Sequence, residues 1–140
     1  LDRVQLRGAV IAGADLSSSR GFALYLDSGD SYKAKVFTTG NYDAQHFAGV
    51  LVNKPGDDEE ADICVWGPCQ VEFGGTVNVG DQLSVDASGK FILAAAGEPV
   101  LGICLPALRN GAAVAYASGE HGEAFIFNVG NMNDQLDAHA

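Results

Sequence analysis

Gly80 to Tyr116 reads GDQLSVDASGKFILAAAGEPVLGICLPALRNGAAVAY. Gln82–Val85 alternates and is rich in residues that suit strands. Asp86–Ala87–Ser88–Gly89 is turn chemistry, because Asp folds back on its own backbone and Gly reaches the left-handed region. Phe91–Leu93 reads as a second strand and Pro99–Leu105 as a third, apolar on both faces. Asn110–Gly111 is a strong turn dipeptide, and Ala113–Tyr116 reads as a fourth strand. No stretch of the run repeats with the 3.6-residue period of an amphipathic helix. It holds no nucleophile with a base and no metal ligands at working spacing.

The same pattern extends outward in both directions. Phe22–Asp27 reads as a strand, Ser28–Ser31 as a hairpin turn and Tyr32–Phe37 as a half-buried strand. Lys33 and Lys35 give that last strand a basic outer face, a device that protects sheet edges from foreign pairing. Gly40–His46 reads as a loop or one helical turn, and Ala48–Val52 as a buried strand. Asp57–Asp58–Glu59–Glu60 reads as a solvated loop tip; its consecutive carboxylates lack the alternation of a calcium loop. Ile63–Trp66 and Cys69–Phe73 read as two strands broken at Gly67–Pro68. In the second, Cys69, Val71 and Phe73 share one face, and Gln70 and Glu72 the other. Leu105–Arg109 suits a helical turn and Ala124–Val129 a last strand. Roughly ten short strands at regular spacing indicate an all-β sandwich or barrel.

Composition limits function. The 140 residues suit one domain with a real core. Hydrophobic residues at 47% against 19% charged exclude a disordered chain. The expected division is an N-terminal arm or edge strand over 1–14, a β domain over 15–129 and a polar tail over 130–140. The net charge of −10 argues against nucleic acid, whose phosphates need clustered Lys and Arg, and against anionic membranes. No apolar run is long enough to span a bilayer, and nothing resembles a signal peptide. Three cysteines, Cys64, Cys69 and Cys104, cannot all pair within one chain, and they read as reduced core residues.

Enzymatic readings fail on spacing. Trp66–Gly67–Pro68–Cys69 lacks the first cysteine of a redox pair and a helix behind it. Cys64 and Cys69 have no second ligand pair to complete a zinc site. His46, His121 and His139 have no evident partner to fix a tautomer. Gly119–Glu120–His121–Gly122–Glu123, read as a surface turn, is the best residual metal or acid–base cluster. The expectation is no enzyme, no catalytic residue, no metal and no cofactor.

In order and spacing, several segments together resemble the head decoration, or capsid cement, proteins of tailed bacteriophages. They are Gly80–Lys90, Gly97–Leu105 with its Gly-Glu-Pro-Val-Leu-Gly-Ile run, and Asn110–Tyr116. Asn53–Gly56 after Ala48–Val52 fits the same family, as does the exposed-looking Glu72–Gly75 segment. The resemblance covers roughly Phe47–Tyr116. It implies a compact barrel- or sandwich-like β domain, of β-tulip or β-clip type, with extended termini. It implies a structural virion protein on the outer capsid surface, assembled in the host cytoplasm. Its partner would be the major capsid protein, bound as a homotrimer at local threefold axes. It further implies an N-terminal arm that adds a strand to a capsid sheet edge. On this chain the arm falls on Leu1–Ala12, with Leu1, Arg3, Val4, Gln5, Leu6 and Arg7 as the capsid-binding candidates and the C-terminal tail as the alternative contact. Three other readings remain: a spike, fibre-base or adhesin domain of a virion, a small β-barrel ligand-binding module, or a metal-dependent enzyme built on Glu120, His121 and Glu123.

Overall fold

A computed structural model describes residues 5–38, 46–106 and 115–127. The fold is all-β, a single sheet curled into a half-barrel with a two-stranded ribbon beside it. The strands are β1 (Leu6–Ile11), β2 (Ala23–Asp27), β3 (Lys33–Val36), β4 (Phe47–Leu51), β5 (Glu60–Glu72) and β6 (Val77–Asn78). Then come β7 (Gln82–Val85), β8 (Phe91–Leu93), β9 (Gly102–Leu105), β10 (Ala115–Tyr116) and β11 (His121–Phe127). The sheet runs β3-β2-β4-β5-β11-β9-β7-β8, with β1 also on β5; β6 and β10 form the ribbon. The named strand pairs are all antiparallel.

Burial follows the alternation of the sequence. In β11, Gly122, Ala124 and Ile126 point inward while His121, Glu123, Phe125 and Phe127 point out. Cys69, Val71 and Phe73 face inward on and just past β5, opposite Gln70 and Glu72. The larger core cluster gathers Phe37, Phe47, Phe73, Phe91, Leu83 and Leu101. A second packs Ala12, Leu16, Leu24, Ala34, Leu51 and Ile63. The turn after β7 forms as its residues require: Asp86 Oδ1 accepts from the N–H groups of Ser88 at 2.8 Å and Lys90 at 3.0 Å. Gly89 sits at φ +81°, and a Cβ there would lie 2.5 Å from Val36 Cγ1.

β3 ends the sheet, and its lysines are ion-paired. Lys33 Nζ meets Asp58 at 2.7 Å, and Lys35 Nζ meets Asp27 at 2.8 Å and Asp30 at 3.2 Å. The hydrogen bond from Lys35 holds the Asp27 carboxyl below its ordinary range.

Five points of the sequence reading need correction. Gly67–Pro68 does not separate two strands; β5 runs unbroken from Glu60 to Glu72. Gly67 absorbs the irregularity at φ +109°, where the β1 register also slips between Leu6 and Arg7. Proline is admitted to sheets at such irregular positions. Phe73 is fully buried, so the Glu72–Gly75 segment is not an exposed one. The last strand starts at His121, so the cluster around His121 lies largely on a strand. Finally, β9 begins at Gly102 rather than Pro99, and β6 was not anticipated. Ala107–Arg109, Asn110–Gly111 and Gly130–Ala140 lie outside the described residues, as does most of Gly40–His46.

Candidate docking surface

The outward face of β5 and β11 changes character along its length. At one end the register places Leu6 and Phe127 both opposite Trp66, and Phe125 opposite both Pro68 and Ile103. Directly paired residues point to the same side, so these side chains form one surface. The Trp66 ring packs edge-on to Phe125 at 5.6 Å and tilted to Phe127 at 5.9 Å, and the two phenylalanines are 5.4 Å apart. Trp66 is nevertheless 45% exposed and Leu6 61% exposed. Further along, Glu123 lies opposite Gln70 and His121 opposite Glu72. There the surface is polar: Glu72 meets Lys90 Nζ at 3.2 Å and His121 Nε2 at 3.3 Å.

Phe125 and Phe127 are half-buried, and an exposed Trp and Leu resting on them with a polar border mark a contact surface, because leaving them in water forgoes their burial free energy. Full burial of one large apolar side chain contributes about 1.5–3 kcal/mol. Aromatic rings also anchor interfaces at low entropic cost.

Three of the candidate residues belong to this region. Leu6 is part of the aromatic surface. Gln5 Nε2 donates to the Pro68 carbonyl at 2.7 Å, and Arg7 Nε donates to Gln5 Oε1 at 2.7 Å. Leu1, Arg3 and Val4 lie outside the described residues. Over Leu6–Ile11 the strand addition expected of an arm is made within the chain, to β5.

Trp66, Phe125 and Phe127 are the residues that reading the sequence missed. One signal was available: in Ala124–Phe127 both faces of a short strand are apolar, which demands cover on both sides. The meeting of Phe127 with Trp66 depends on a strand pairing about sixty residues apart in sequence, which no local pattern carries.

The chemical alternatives do not gain a constellation. Among the described residues no three His, Cys, Asp or Glu side chains are grouped to hold a metal. Glu120 Oε1 accepts from the Ala117 N–H at 2.7 Å in the turn, while His121 turns to Glu72. His46 is exposed beside β4, and His139 lies outside the described residues. Cys64, Cys69 and Cys104 are all buried and unbridged. Burial pushes the Cys104 thiol up to about 11. The hydrogen bond with Cys64, together with burial, pushes the Cys69 thiol up as well. These two thiols therefore stay protonated at neutral pH, the unreactive form.

No family model matches the chain, and no curated protein matches it. Among solved structures the fold is similar to the N base of head fiber gp8.5 of bacteriophage phi29, with a TM-score of 0.63 and 14% sequence identity. The match covers 91% of this chain and 98% of that one. The likeness is one of fold, and it extends over nearly the whole of both chains.

Proposed function

We propose that this protein is a structural component of a phage virion, held on the outer surface of the head through the Leu6–Trp66–Phe125–Phe127 face. The observation that carries this reading is the fold shared with the base of a phage head fiber. The exposed Trp66 and Leu6 on this face support it, since such a patch marks a contact with a partner. The partner is the major capsid protein, and copies act as a homotrimer at local threefold axes, which makes several weak dockings simultaneous. Bound in this way the protein cross-links neighbouring capsomers and reinforces the head. It performs no catalysis and binds no cofactor. The charge of −10 sets it apart from nucleic-acid binders, and no helix among the described residues is long and apolar enough to cross a membrane.

A second reading is favoured by the identity of the structural neighbour. The same domain serves as the base of a fibre, attaching to the head and carrying a further segment outward. Co-sedimentation with undecorated heads tests both, since each requires attachment. Wild-type protein is expected to pellet with heads in fixed stoichiometry, and Trp66→Asp to stay in the supernatant. Heating the heads then separates the two: a reinforcing protein raises their rupture temperature, and a fibre base leaves it unchanged. Absence of pelleting overturns both.

A further inference from the structure

Acids outnumber bases 18 to 8 in this chain, so a base without an acidic partner is the unusual case. Lys33, Lys35 and Lys90 follow the expectation, each with a carboxylate at 3.2 Å or less. Arg7, Arg20 and Lys54 do not: among the described residues none has a carboxylate within ion-pair distance. Between them they line two adjoining depressions. A cleft of about 460 Å³ is lined by Ser17, Ser18, Arg20, Lys54, Gln70, Glu72 and His121. A second, of about 240 Å³, adds Gln5, Arg7 and Glu123 and shares Arg20 and Gln70 with the first. The two adjoin at Arg20 and Gln70, and together they make up a groove.

The guanidinium groups are held by neutral amides. Arg20 Nη2 donates to Gln70 Oε1 at 2.8 Å, and Arg7 Nε donates to Gln5 Oε1 at 2.7 Å. An amide carbonyl orients the fork without cancelling its charge, leaving the other N–H donors for a ligand. The walls are fixed by backbone hydrogen bonds, Leu16 N–H to Pro55 carbonyl at 3.0 Å and Gly21 N–H to Leu51 carbonyl at 2.9 Å. Asp15 Oδ1 accepts from the Ser17 N–H at 3.1 Å and shapes the rim. Of the bordering acids, Glu72 is already engaged by Lys90 and His121.

We propose that this groove, bordered by Arg7, Arg20 and Lys54, binds an extended acidic segment of a partner protein through its Asp or Glu side chains. Separate guanidinium forks match separate carboxylates, each bidentate. The cations are too few and too diluted by Glu72 and Glu123 for a phosphodiester backbone, which takes on the order of 6–10 contacts. An extended peptide presents carboxylates on one side about every 6.6 Å, so one segment can offer a carboxylate to more than one of these cations. The distant acids of the protein are screened beyond about 10 Å at 0.1 M salt, whereas direct contacts in the groove are much shorter than that and are screened less. The proposal stands on cation placement alone and is independent of attachment to a head.

Fluorescence anisotropy of labelled hexaglutamate with the full chain at about 0.1 M salt tests it. Saturable binding is expected, weakening as salt rises above that level. Arg20→Ala and Lys54→Ala, both exposed positions whose folding circular dichroism checks, should each weaken binding about tenfold. Lys33→Ala, at a paired lysine on the edge strand β3, should bind like wild type. Lack of saturation overturns the proposal, as does unchanged binding by both Arg20→Ala and Lys54→Ala. Saturable binding of a heparin-derived oligosaccharide without binding of hexaglutamate overturns it too, in favour of an acidic glycan.

Discussion

Cys104 shows how burial at one position sets a measurable property. Its thiol rises from 9.0 to about 11 because burial penalises the thiolate. A group whose folded value is raised contributes stability below the unfolded value and loses it as pH rises through the folded one. The Cys104 contribution is therefore complete below about pH 9 and lost as pH climbs through about 11. Cys104→Ala is expected to flatten the alkaline limb of a stability–pH profile measured by urea titration. Tyr116 gives a second prediction. Its hydroxyl is buried with no hydrogen-bond partner among the described residues, while its ring stacks on Phe73 at 4.9 Å. Tyr116→Phe keeps the stacking and removes an unsatisfied group, so thermal melts should show no loss and a gain of up to about 1 kcal/mol. At this scale much was legible. The Asp86–Gly89 turn and the reduced, buried cysteines follow from residue chemistry alone. The exposure of Trp66 was not legible, because it depends on which strands arrive beside it.

Elements were legible where their signals are local and lost where pairing decides. The β2–β3 hairpin was readable because alternation and turn residues lie within a few positions of each other. β5 was not, because Gly67 and Pro68 signal a break that pairing with β1, β4 and β11 overrides. β1 itself offers a test. Truncation through Gln5 removes the hydrogen bond to Pro68 and leaves the strand, so the melting temperature should barely move. Truncation through Ala12 removes a six-residue pairing and a fully buried side chain, and uncovers Ala61 and Ile63. The expected loss is about 2–4 kcal/mol in urea denaturation. Gly122 tests the seam between β11 and the core. A Cβ there would lie 2.7 Å from both the Phe73 and Tyr116 rings. Gly122→Val should cost about 1–3 kcal/mol by overpacking, and an unchanged melt would mean those rings yield freely.

At the scale of the molecule, a strongly acidic protein presents two surfaces that escape its general character. One is the aromatic end of the β5–β11 face, and the other is the groove of Arg7, Arg20 and Lys54. The all-β class was legible from turn spacing, and the curl of the sheet was not, since it arises from strand order. Repulsion between copies at −10 disfavours association in free solution, so light scattering of the isolated protein should report little trimer at low salt and more as salt screens the charge. Attachment through the Leu6–Trp66–Phe125–Phe127 face is tested most directly by an electron cryomicroscopy reconstruction of heads carrying the protein. Density at local threefold axes is expected, with Trp66, Phe125 and Phe127 buried against capsid protein or a neighbouring copy and the lysine-bearing edge of β3 turned to solvent. A reconstruction in which those three rings face open solvent would contradict the assignment.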